Sequence, residues 1–298
     1  MFWIIIWVIQ SFLNAFWMIL TKKVVENKKI WNNWQTFISR SNHAIFLWIL
    51  FLLSYYIFDI KSLSLDIDPN FWNVKNILLF LIATFGLYTT YPLRRIAYAN
   101  EKVSVLQPFA MLFQVFPVIL GFIFIASERA NLITFITAIL ASLVVIIPNI
   151  DWNNFKMNKY SLMVLTSSII KSAQVFAALY FLTILTPSNF YFLESILIII
   201  ISSFLIFFKK EFNEIKLLTK KYTKLLFANN FVAVISILLS LTMFKSLWVV
   251  LTSLLSLLYL IFIYILGYFI LKEKPKKKDI IITFLVSILI IIWVFFKK

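Results

Sequence analysis

One lysine stands in the middle of a long apolar stretch, Lys171 within KYSLMVLTSSIIKSAQVFAALYF (159–181). On a helix, Ser167, Ser168 and Gln174 share its face, being three or four residues away. A lysine at the centre of a bilayer costs about 3 kcal/mol on insertion scales, so a bland tolerated position is a poor explanation. Its chemistry offers two roles. It can hold an anionic group of a solute, such as a carboxylate, or it can pair with Glu194, the only acid inside an apolar run. Glu194 can also favour the positive end of a helix that starts at Pro187-Ser188. Lys171 and Glu194 are therefore the candidates for coupling to a proton or an exchanged solute.

Other polar residues fall on helical stripes. Trp3, Trp7, Gln10, Asn14 and Trp17 recur at spacings of three and four, which puts all five on one face. Such a stripe suits a cavity wall, or else interhelical hydrogen bonds by the amides with tryptophans at the membrane interface. Gln107 and Gln114, seven apart, share a face of a segment that also holds Pro108 and Pro117. Each proline frees a backbone carbonyl, tolerated at membrane depth only against protein or a watery cavity. Tyr88, Tyr91 and Pro92 lie in the preceding segment, and Asn229-Asn230 opens a later one. The candidate cavity-lining set is Trp7, Gln10, Asn14, Tyr88, Tyr91, Gln107, Gln114, Lys171, Gln174 and Asn230. The single histidine, His43, reads as interfacial, and the serines and threonines of the late segments read as packing residues. With one histidine, no cysteine, no Gly-rich phosphate loop and no paired carboxylates within a span, no catalytic or metal site can be assembled and no cofactor is implied. A membrane-embedded enzyme, or a lipid-handling or scaffold protein, is the alternative to a carrier.

These residues need elements to hold them. The chain has 298 residues, 62% hydrophobic and only 13% charged, with a mean hydropathy of +0.96. A soluble domain carries roughly a quarter charged residues, so this is a polytopic membrane protein. Windows of membrane-crossing length place ten helices at 2–20, 42–58, 76–93, 103–126, 131–148, 160–182, 189–208, 224–243, 247–271 and 279–296. The first has no basic residue before it and reads as a retained helix. The stretch from Phe122 resembles that from Gly267 without a gap: Glu128-Arg129 aligns with Glu273-Lys274, and Ile146-Ile147 with Ile291-Ile292. The chain thus divides into two five-helix repeats, 1–150 and 151–298, and an odd number of helices per repeat makes them inverted. The charges agree. Of 28 lysines and arginines, twenty-one follow odd-numbered helices and six follow even-numbered ones or form the tails; the remaining one is Lys171. The net charge of +16 is therefore a topological signal at a lipid surface, with no nucleic-acid partner required. By this bias both termini face outward across a cell membrane.

At this point the chain resembles the ten-helix EamA-type permeases of the drug/metabolite transporter superfamily. The resemblance rests on the five-plus-five division and on the closing pattern of each half, Pro108, Pro117, Gly121 and Glu128-Arg129 in the first, Gly267 and Glu273-Lys274 in the second. The second half lacks the prolines, and the usual glycine after each acid–base pair is missing. What the resemblance implies is a monomeric or homodimeric carrier in the plasma membrane, of prokaryotic type. Such a carrier moves a small metabolite, often an amino acid or another anionic or zwitterionic solute, by alternating access. It also implies cytoplasmic termini, opposite to the charge bias.

Overall fold

The computed structural model describes residues 2–26, 32–58, 65, 67–124, 132–147, 158–210, 220–246, 259–274, 277, 280–282, 284–285 and 288–289. Nine helices are assigned among them: α1 (Phe2–Glu26), α2 (Asn32–Leu53), α3 (Val74–Asn100), α4 (Val103–Phe124), α5 (Leu132–Ile146), α6 (Lys159–Phe181), α7 (Pro187–Lys209), α8 (Lys220–Ser246) and α9 (Tyr259–Leu266). A π-helical turn closes α2 at Ser54–Phe58, and another closes α9 at Gly267–Leu271. No strand occurs among the described residues. Six of the helices (α1, α2, α3, α6, α7 and α8) contain stretches long and apolar enough to cross a membrane. The chain is an all-α, multi-pass membrane protein. Residues 247–258 of the predicted ninth span, much of the tenth, Glu128-Arg129 and the boundary at residue 150 lie outside the described residues.

Local sequence sets the helix ends. Asn73 accepts from the Lys75 amide at the start of α3, and Asn158 from the Tyr160 amide at the start of α6. Thr186 caps α7, with Pro187 in the first turn where its missing N–H costs nothing. Lys210, with φ 54°, ends α7 in the left-handed conformation. Several ends depart from the expected spans. α1 runs on to Glu26, α3 to Asn100, and α2 begins at Asn32, about ten residues early. The added turns carry Lys22, Arg40, Arg94 and Arg95. Hydropathy assigns such residues to water outside the membrane, whereas here they point between the helices.

The ends of α1 and α3 lie on one side of the bundle, because Lys22 Nζ donates to the carbonyls of Tyr98 (2.6 Å) and Glu101 (2.8 Å). A cation placed there satisfies the orphan carbonyls of the last turn of α3. In the same region Glu273 accepts from the Val103 amide at the start of α4, a helix-end contact of the kind expected for this acid. α6 packs along α3 and α4, α2 along α7, and α1 along α8 and α9. The approach of α6 uses small side chains: Ser161, Ser167, Ser168, Ser172 and Ala178 are all buried. Outside, Ile82, Phe85, Ile200, Phe204 and Phe207 are among the most exposed side chains. An apolar exterior is the arrangement that lipid requires.

Candidate functional site

Between these helices lies a cavity of about 240 Å³. α1, α2, α3, α6, α7 and α8 all reach it, with α4 and Tyr259 of α9 completing the wall. Four cations line it, Arg40, Arg94, Arg95 and Lys171, together with one acid, Glu194, and with His43.

Glu194 is already engaged. Its Oε2 lies 3.3 Å from Arg40 Nη1, and its Oε1 accepts from Gln174 Nε2. Both side chains of the ion pair are about nineteen-twentieths buried. Arg40 also stacks against the rings of Tyr91 (5.0 Å) and Tyr191 (5.4 Å). Aromatic faces offset part of the desolvation of a buried guanidinium. The Tyr191 hydroxyl in turn shares a 2.7 Å hydrogen bond with His43 Nδ1.

Arg94 and Lys171 are held differently. Arg94 Nε donates to Ser167 Oγ (2.9 Å) and Nη2 to Ser168 Oγ (3.3 Å). Hydroxyls orient the guanidinium without neutralising it. Lys171 Nζ sits 5.7 Å from the Phe113 ring centre and 6.0 Å from that of Trp17. Among the described residues, no carboxylate is within ion-pair distance of either Arg94 or Lys171. Arg95 donates to Thr36 Oγ1 (2.8 Å).

The opposite wall is neutral. Gln10 donates to Ser240 (2.6 Å), Asn14 accepts from Ser236 (2.8 Å), and Thr21 donates to Asn229 (3.1 Å). The stripe on α1 is thus zipped to α8, and its amides still face the cavity. Asn230, almost fully buried, leaves both amide atoms without a hydrogen bond, as do His43 Nε2 and Gln10 Oε1.

Of the residues chosen from sequence, the structure brings Gln10, Asn14, Tyr91, Lys171, Gln174 and Asn230 together at the cavity. Tyr88 is a correction: it is buried and donates to Asn33 (2.7 Å), tying α3 to α2 away from the cavity. Trp7 is another, buried in packing and not part of the lining. The side chains of Gln107 and Gln114 lie outside the described residues. The carbonyl of Phe113, which Pro117 leaves without its helical donor, lies 3.3 Å from Ser172 Oγ, whose shorter bond is to the Ser168 carbonyl (2.7 Å), so it meets protein. Glu194 pairs with Arg40, not with Lys171. His43, expected at the interface, is buried within α2 and faces the cavity. The sequence reading missed Arg40, Arg94, Arg95 and Tyr191. The available signal was spacing: Arg40 is three residues from His43, and Arg94 three from Tyr91, each on one helical face.

No family model and no curated protein sequence matches the chain. Solved structures do. One crystal structure of another protein superposes with a TM-score of 0.64 over 98% of each chain, at 11% sequence identity. At that identity the similarity concerns the fold alone, but it extends over the whole chain.

Proposed function

We propose that this protein is a secondary carrier of a small anionic or zwitterionic metabolite, working by alternating access as a ten-helix permease of the EamA type in the cell membrane. The observation that carries this reading is the cavity itself. It lies among helices of both halves of the chain and is lined by cations that outnumber acids. Polar walls of this kind inside an apolar bundle mark solute pathways.

The helix contacts support two inverted halves. With the chain divided at residue 150, the packing of α1 on α8 is the counterpart of α6 on α3, and that of α1 on α9 the counterpart of α6 on α4. The α2–α7 contact is its own counterpart. Two similar halves give two packings of near-equal energy, open to opposite sides. Gln10, Asn14, Tyr91, Lys171, Gln174 and Asn230 form the binding set, and Lys171 and Glu194 are the candidates for coupling.

Purified protein in liposomes tests this directly. Vesicles preloaded with a mixture of small organic acids and amino acids should take up labelled solute by counterflow, and vesicles carrying Lys171→Met should not. Uptake indistinguishable from protein-free vesicles would remove the carrier assignment.

A further inference from the structure

We infer that the solute is a small dianion, a dicarboxylate or a phosphate monoester, whose two charges meet Arg94 and Lys171. This rests on the carrier reading and narrows it from anionic or zwitterionic solutes to one class.

The charge inventory favours a dianion over a zwitterion. A zwitterion brings an ammonium group that needs an acid. Among the described residues Glu194 is the only acid lining the cavity, and its charge is already matched by Arg40, with Gln174 on its other oxygen. An ammonium would therefore enter a wall of like charges. Arg40 is balanced by Glu194 and Arg95 is held at Thr36 on α2, which leaves Arg94 and Lys171 as the pair of lining cations on the α3–α6 side with no carboxylate among the described residues. Arg94 cannot shed its proton, and its guanidinium fork suits a carboxylate or phosphate held by two parallel hydrogen bonds. Ser167 and Ser168 take its Nε and Nη2 donors, fixing the plane of the group. Lys171 supplies the second positive point, held on the rings of Trp17 and Phe113 instead of on an anion.

Two further observations limit the body of the solute. A cavity near 240 Å³ is below the range of about 300–1,000 Å³ that accommodates drug-sized ligands. Asn230 and His43 stand close enough to interact and both line the cavity, which puts neutral polar partners for a hydroxyl on its wall.

A charge series on one four-carbon skeleton, with one phosphate monoester beside it, tests the inference. Thermal unfolding of the detergent-purified chain is followed with succinate, succinamate, aspartate and glycerol 3-phosphate, and each is also offered for counterflow in liposomes. Succinate or glycerol 3-phosphate should raise the melting temperature at a concentration about tenfold or more below that needed for succinamate or aspartate. Which of the two acts at lower concentration identifies the carboxylate or the phosphate form. Arg94→Lys, which keeps the charge but loses the fork, should weaken the preferred dianion and leave the ligand-free melting temperature near its original value. Equal potency of aspartate and succinate, with aspartate transported, would overturn the dianion assignment while the carrier stands. Absence of both stabilisation and counterflow for all four solutes, and for a broad mixture, would overturn the carrier itself.

Discussion

Arg40 on α2 and Glu194 on α7 form a buried ion pair, 3.3 Å from nitrogen to oxygen, across 154 residues of sequence. Breaking one side of such a pair leaves an uncompensated charge and costs about 3–5 kcal/mol. Glu194→Gln or Arg40→Gln should each lower stability on this scale, and the double variant should recover most of the loss. Lys171→Met combined with Glu194→Gln should show a much smaller coupling. A double-mutant cycle by thermal unfolding in one detergent measures both; equal couplings would reverse the pairing.

Lys171→Met removes a cation that has no acid partner among the described residues, so the fold should be retained within about 1 kcal/mol or gain stability. Solute binding should fall at least tenfold. A large loss of stability, with solute affinity unchanged in the folded fraction, would mark the lysine as structural.

Ser172 should matter more while Pro117 is present. Its hydroxyl donates to the Ser168 carbonyl of its own helix (2.7 Å) and lies 3.3 Å from the Phe113 carbonyl, which a proline four residues later cannot serve. Ser172→Ala should cost about 0.5–1.5 kcal/mol. In a Pro117→Ala background, where the helical N–H is restored, the same change should cost less, the bond to Ser168 being all that is lost. Denaturant unfolding of the four proteins decides it, and an undiminished serine effect would contradict the compensation.

Asn230→Leu places an apolar side chain where two buried amide atoms have no hydrogen bond. Stability should change by no more than about 1 kcal/mol, since at most one weak contact with His43 is lost. Affinity for a hydroxylated dianion such as malate should drop toward that for succinate. Parallel losses for both solutes would exclude a hydroxyl-binding role.

Much of the helical framework could be read from the order of residues, because apolar runs of membrane-crossing length have few other fates. The cavity was legible where a polar residue stood inside such a run, as with Gln10, Asn14, Lys171, Gln174 and Asn230. It was illegible at Arg40, Arg94 and Arg95. These sit in the outer turns of their helices, where a hydropathy window cannot tell a charge facing bulk water from one facing an internal cavity. That error carried into the charge count. Lys22, Arg40, Arg94 and Arg95 were scored as loop cations, yet Lys22 closes the end of α3 and the arginines line the cavity. The bias toward the lysine-rich side survives without them. Tyr88 and Trp7 failed for a different reason: sequence places a residue on a face but does not say which neighbour that face meets.

The separation of Arg40 from Glu194 also has a consequence in time. A ribosome adding roughly 5–20 residues per second needs about 8–30 s to cover the 154 residues between them. During that interval α2, with Arg40, leaves the ribosome before its acidic partner exists, and α3 follows with Arg94 and Arg95. Each uncompensated charge at bilayer depth opposes entry by up to about 3 kcal/mol. The early helices therefore have reason to linger at the insertion machinery until α7 arrives. A chain halted before Glu194 should be recognised as unfinished and degraded.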